Sequence, residues 1–186
     1  SGAPAYGTPE HLKMQIGGGQ LARHIGLPWR TASGAASNTA DMQAALETTM
    51  GLWGSSLAHG TLIVHTAGWL EGGLAMGYEK FVMDCDQASM MAVYAKGVDM
   101  SANGQAMDAL AEVGPGQHFL GCSHTQANFK NAFYRSTSAD NNSYEQWVED
   151  GSQDAEQRAE KLYKEMLASY TAPELDPEID AKLIAF

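Results

Sequence analysis

The run Thr61-Leu62-Ile63-Val64-His65 constrains this chain more than any other feature. A continuous apolar, β-branched stretch of this length predicts a strand covered on both faces, as in a parallel sheet. Helical periodicity flanks it on both sides. Met42, Ala45, Leu46, Thr49, Met50, Trp53 and Leu57 predict an amphipathic helix over residues 40–57. Phe81, Val82, Cys85, Ala88, Ala92 and Ala95 predict the core face of a helix from Tyr78 to Lys96, closed by Gly97. Two parallel strands need such a helical crossover between them, so the pattern predicts an α/β fold built from βα units.

Other signals extend the alternation. Thr8-Pro9-Glu10 is a helix start, with a capping hydroxyl and a proline where no N–H is needed; the helix runs to His24 or Ile25 and ends at Gly26. Gly17 to Gly19 lie inside it. No strand leads into them and no Lys-Ser or Lys-Thr follows, so they predict close helix packing or a local break, not a phosphate loop. Leu27–Thr31, weakened by Pro28, and His118–Cys122 are the other two strand candidates. Ser101 caps a shorter helix carrying Met107 and Leu110, stopped by Gly114-Pro115. Residues 123–143 form a connection too long to be ordinary. An amphipathic helix follows from Asp154 to Tyr170, with Ala155, Arg158, Ala159, Leu162, Met166 and Leu167 on one side, and Asp176-Pro177 opens a last helix.

Three strands do not complete a barrel, and a closed eight-stranded βα barrel takes about 250 residues. The expected architecture is therefore the C-terminal part, about three βα units, of a TIM (βα)8 barrel: one domain over residues 1–186, with a helical extension from about residue 152. Exposed sheet edges in such a part-barrel predict association, as a homo-oligomer or with an N-terminal half.

Charge narrows the partners. Twenty-two Asp and Glu stand against 11 Lys and Arg, a net charge of −11, which disfavours nucleic acid and anionic membrane surfaces. No apolar run approaches the roughly 18 residues of a membrane span. Two cysteines, Cys85 and Cys122, are too few for a disulfide framework, and a cytoplasmic location is the expectation.

Parallel βα folds keep their chemistry at the C-terminal ends of strands. This rule selects Arg30, Thr31 and Ser33 after the first strand, His65, Trp69 and Glu71 after the second, and Cys122, His124 and Gln126 after the third. His11, His24 and His59 fall on helices or their ends. Each selected residue has a plainer alternative: His65 donating to a carbonyl, Glu71 paired with Lys80 or Arg30, Cys122 as a small buried hydrophobe. Cys122 and His124, with His65, also form a donor set for zinc, supporting an alternative reading as a zinc-dependent hydrolase or methyltransferase, although one C-x-H is a weak signal. Trp69 and Tyr134 could present ring faces to a cationic ligand, with Glu71 supplying charge. Gly72 to Gly77 lack the glycine spacing of a dinucleotide site.

Several long strings have a family likeness. GAPAYGTPE (Gly2 to Glu10), GQLARHIGLPWR (Gly19 to Arg30), AGWLEGGLAMGYEKFVMD (Ala67 to Asp84), GQAMDALAEVGPGQHFLGCSHTQANF (Gly104 to Phe129) and ADNNSYEQW (Ala139 to Trp147) together resemble the trimethylamine methyltransferase family. The resemblance implies a βα barrel that moves a methyl group from a methylated amine to the cobalt of a cobalamin-type corrinoid carried by a separate partner protein, with no tightly bound cofactor of its own. Some archaeal members carry pyrrolysine. This sequence has only standard residues and so resembles the branch that includes enzymes of quaternary amines such as glycine betaine. On that reading His65, Glu71 and His124 are the catalytic candidates, and Trp69, Gln126, Tyr134 and Arg30 the substrate-binding ones. An inactive binding or assembly module remains the alternative of a different class.

Overall fold

The computed structural model describes residues 2–186. In chain order it contains α1 (Pro9–His24), β1 (Arg30–Ala32), α2 (Met42–Leu57), β2 (Leu62–Val64), β3 (Trp69–Leu70), a 3-10 turn (Glu71–Gly73), β4 (Ala75–Met76), α3 (Tyr78–Ala95), α4 (Ala102–Gln105), α5 (Met107–Val113), α6 (Ser123–Asn128), α7 (Tyr144–Glu149), α8 (Ala155–Ala168) and α9 (Pro177–Ala185). The class is α/β, with helix dominant. No helix among the described residues is long and apolar enough to cross a membrane.

Several predicted helix starts are observed, and the other ends fall within about two residues of the expected ones. Thr8 accepts from the His11 N–H at the start of α1, and Gly26 leaves the helix at φ +72°, a conformation that favours glycine. Asp154 and Gln157 form a reciprocal capping box on α8. The shorter central helix divides into α4 and α5 at Ala106, whose φ is +49°.

β1 and β2 pair in parallel across α2, with Arg30 opposite Leu62, Thr31 opposite Ile63 and Ala32 opposite Val64. β3 and β4 form a separate two-residue antiparallel ribbon. Of the three expected parallel strands, two are paired among the described residues. The third, His118–Cys122, is a turn in which the Cys122 N–H donates to the Phe119 carbonyl at 3.1 Å, and Leu120 is 75% exposed. Among the described residues no strand stands beside this segment, and a lone strand leaves both hydrogen-bonding edges unpaired. The covering of β2 is also less complete than expected, with Leu62 56% exposed.

The buried faces of α2 and α3 differ from the predicted ones. On α2 the interior side is Ala44, Thr48, Gly51, Leu52, Gly54 and Ser55, while Met42, Leu46 and Leu57 face outward. On α3 it is Lys80, Val82, Asp84 and Asp86, while Phe81 and Cys85 are exposed. Close approach is the physical reason. A Cβ on Gly18 would stand 2.9 Å from the Trp29 ring, and one on Gly19 would strike the Ala58 carbonyl, so α1 meets its neighbours through small residues. At that contact the Gln15 amide donates to the Ala32 carbonyl at 2.8 Å, with the Ser55 and Thr31 hydroxyls 3.0 and 3.1 Å away. The interior is correspondingly small and polar, with an apolar cluster of Ala35, Ala44 and Leu70.

The long 123–143 connection opens with α6 and is tied down near its middle. The Asp86 carboxylate accepts from the Tyr134 hydroxyl at 2.6 Å, the Ser138 hydroxyl at 2.7 Å, the Ser136 hydroxyl and the Thr137 and Ser138 N–H groups. Burial acts against this charge, but the donors from Ser136, Tyr134 and Ser138 outweigh it and hold the carboxyl at about 2. Arg158 of α8 donates to the Ser138 carbonyl at 2.8 Å and joins the same anchor. α7, which is not among the expected helices, is capped by Ser143, whose spacing to Gln146 is that of a helix start.

Candidate functional site

The C-terminal ends of β1 and β2 lie side by side, and the loops beyond them interlock. Ser33 continues the ladder by donating its N–H to the Val64 carbonyl at 3.1 Å. Gly51 of α2 lets it in, since a Cβ there would stand 2.7 Å from the Ser33 Cβ. The chain then turns over α2, where Glu47 Oε2 accepts from the Ala36 and Ser37 N–H groups at 2.6 and 2.9 Å. From the other loop, the Glu71 N–H donates to the Ser37 carbonyl at 2.8 Å and the Gly72 N–H to the Ala35 carbonyl at 3.0 Å.

On this framework His65 and Trp69 meet edge to face, ring centroids 4.9 Å apart at 80°. His65 and Glu71 both hold left-handed backbone, φ +54° and +52°. A side chain there costs about 1–2 kcal/mol per residue, a cost that His59, Ala106 and Ser152 share. Glu71 is exposed and makes no ion pair; among the described residues ion pairs form only at Lys80–Asp84 and Lys164–Glu160. A carboxylate on the same loop as an aromatic ring and an imidazole supplies groups that suit a cation carrying a polar handle.

The other selected residues do not join this group. Arg30 and Thr31 lie within β1, and Arg30 is at its N-terminal end, away from the mouth. Tyr134 donates its hydroxyl to Asp86 on α3, a bond that raises the phenol's pKa, and so serves the connection's anchor rather than a pocket with Trp69. Without a third strand, nothing carries His124 and Gln126 to the strand ends. They lie on α6, where His124 Nε2 faces the Asn103 carbonyl at 2.8 Å and the Gln126 amide donates to the Leu120 carbonyl at 3.3 Å. Cys122 is buried at the start of α6, its sulfur 3.3 Å from the Thr125 hydroxyl. Among the described residues no three His, Cys, Asp or Glu side chains converge in a way that could hold a metal ion, so the Cys122, His124 and His65 donor set is not assembled.

Comparison with known proteins bears on the whole chain. The model of the family described as trimethylamine methyltransferase (MTTB) matches residues 1–186. The chain belongs to the trimethylamine methyltransferase family. Among curated members, it is 42% identical over 151 residues to the glycine betaine methyltransferase of Desulfitobacterium hafniense, a match covering 81% of this chain and 32% of that protein. It is 30% identical over 149 residues to a trimethylamine methyltransferase MttB of the same species, covering 80% and 30%. A proline betaine:corrinoid methyltransferase of Eubacterium limosum is 31% identical over 121 residues, covering 63% and 25%. The chain thus spans about a third of the length of the first two relatives.

Within this family member, sequence reasoning missed one buried group beside the mouth. Lys80 and Asp84 form an ion pair at 2.5 Å with both side chains 2% exposed. The Lys80 ammonium also donates to Thr48 at 2.8 Å, and Asp84 Oδ2 accepts the Gly68 N–H at 2.8 Å. Burial pushes the Asp84 carboxyl above its usual range, with Lys80 and the Gly68 N–H pulling the other way. The only sequence signal was the i,i+4 spacing of Lys80 and Asp84, which a solvated helix face shows equally.

Proposed function

We propose that this chain carries the amine-binding mouth of an enzyme that moves a methyl group from a methylated, quaternary amine to the cobalt of a corrinoid protein. The observation that carries the reading is the contact of His65 with Trp69, together with Glu71 on the same pinned loop, at the ends of two parallel strands. Trp69 offers a ring to an alkylated ammonium and Glu71 opposes its charge. His65 orients a carboxylate or hydroxyl elsewhere on the substrate. A quaternary ammonium releases a neutral amine when the C–N bond breaks and its electron pair stays on nitrogen, so positioning and charge complementarity suffice and no general acid is needed. The corrinoid rides on the partner protein, where its reduced cobalt takes the methyl group.

The names of the relatives support the same class: the 42% match is a glycine betaine methyltransferase, and two of the others are named for proline betaine and L-carnitine with a corrinoid. The proposal extends to association, because large apolar side chains such as Met42, Leu46 and Phe133 are exposed; a monodisperse monomer by light scattering at micromolar concentration would contradict that part. A cytoplasmic setting belongs to it too, consistent with two free cysteines.

The test is methyl transfer to the corrinoid partner from a panel of methylated amines. Glycine betaine and other quaternary amines should exceed trimethylamine, and His59→Ala should match the parent. Preference for trimethylamine, or transfer from none, would overturn the reading.

A further inference from the structure

The loop bearing Trp69 and Glu71 leaves and rejoins the body at one point. At its neck the Gly77 N–H donates to the Gly68 carbonyl at 3.0 Å, and the Gly68 N–H donates to Asp84 Oδ2 at 2.8 Å. Gly68 is held at φ +82°, and a Cβ there would stand 3.1 Å from both the Met76 methyl and the Phe81 Cβ, so the tight approach of the neck to α3 favours glycine. Asp84 is held in turn by Lys80, and Lys80 reaches across to Thr48 of α2. Three segments therefore meet at one buried charge pair: α2, α3 and the neck, which leads into the mouth loop. The mouth end of the loop hangs on two backbone bonds, to Ser37 and Ala35.

Solvation explains why a charged acceptor matters here. A neutral partner could satisfy the Gly68 N–H, but a carboxylate accepts a shorter and stronger bond, and Lys80 makes burial of that carboxylate tolerable. We infer that the buried Lys80–Asp84 pair is a positioning device for substrate: through the Gly68 N–H it fixes the loop that carries Trp69 and Glu71, and so sets the affinity and orientation of the methylated amine. The inference rests on the reading proposed above for the mouth. Neither Lys80 nor Asp84 touches substrate.

Two paired variants test it in the full chain with its corrinoid partner. Lys80→Met with Asp84→Leu removes both charges and the acceptor; Lys80→Met with Asp84→Asn removes the charges and keeps an oxygen for Gly68. The first should raise the half-saturating concentration of glycine betaine roughly tenfold or more and lower turnover, as a shift of about 1 Å at a reacting centre does. The second should recover most of that loss. Parental kinetics in the Leu variant, or equal losses in both variants at unchanged melting temperature, would overturn the inference.

Hydrogen exchange in the unmodified chain decides the matter even if neither variant folds. The Gly68 amide should exchange far more slowly than that of exposed Gly121, and rates as fast as Gly121 would refute the latch. Exchange also separates the two claims. Residues 68–77 should exchange faster in the Leu variant whether or not the protein acts on amines, whereas absence of methyl transfer in the parent would refute the reading of the mouth alone.

Discussion

Residues 62–86 and residues 99–133 hold two of the three groups of side chains that the sequence gathers at one mouth, and the structure secures them by different means. The first group stands at the end of a parallel strand pair, with its loop tied to residues far away in sequence: Glu71 to Ser37, Gly72 to Ala35, Gly68 to Asp84. Hydrogen bonds in the second run between close neighbours or across its own short helices, as from Asn103 to Asn128 and from Ser123 to Glu112. A sheet fixes the loops at its strand ends because each strand has a neighbour. Where the expected third strand has none, the residues after it lose the position that the strand rule assigned them.

Stability measurements sharpen the contrast. Lys80→Ala strands a buried carboxylate and should cost about 3–5 kcal/mol in urea unfolding at pH 7. Because burial raises the Asp84 pKa, this loss should shrink as the solution is acidified and the stranded group takes a proton. His124→Ala, in the second region, should cost under about 1 kcal/mol. Equal losses would erase the distinction between the regions.

The effect next in size belongs to Asp86, which ties the first region to the segment just after the second through Tyr134, Ser136 and Ser138. Its carboxyl is lowered from 3.8 to about 2 on folding. A depressed acid stabilises the fold above its unfolded pKa, so this contribution, about 2 kcal/mol, is complete above pH 3.8 and is lost as pH falls through 2. Asp86→Asn should lower stability at pH 7 by about that amount and flatten the stability curve between about pH 4 and 2. An unchanged acid limb would remove Asp86 as the joint.

Glycines give the smallest comparison. Gly68→Ala places a side chain at φ +82° against α3 and should cost about 1–2 kcal/mol. Gly121→Ala, with nothing within 4 Å of the new methyl, should stay within about 0.5 kcal/mol in thermal melts. The reverse order would show that the neck is looser than the segment around α6.

Local chemistry explains which parts were legible. Caps such as Thr8, Ser101 and Asp154 act on the next few residues, and they mark real helix starts. β2, and the placing of His65, Trp69 and Glu71 after it, were legible because the apolar run is short, β-branched and bounded by His59-Gly60 and Gly68. The faces of α2 and α3 were not. Periodicity locates an apolar stripe but not the neighbour that covers it, and here α1 approaches through Gly18 and Gly19 while Thr48, Lys80 and Asp84 turn inward. Tyr134 looked like a pocket aromatic for the same reason: its partner, Asp86, lies 48 residues away in sequence.

The central claim is that the amine sits with the pinned loop after β2 and not with α6. Methyl transfer from glycine betaine by Glu71→Gln and by His124→Ala, side by side with the corrinoid partner, tests it most directly. Losing a carboxylate beside a desolvated cation should cost about 2 kcal/mol, a roughly thirtyfold fall in kcat/KM. The account predicts that fall for Glu71→Gln and a change of less than about threefold for His124→Ala. Parental activity in Glu71→Gln, or an equal loss in His124→Ala, would contradict it.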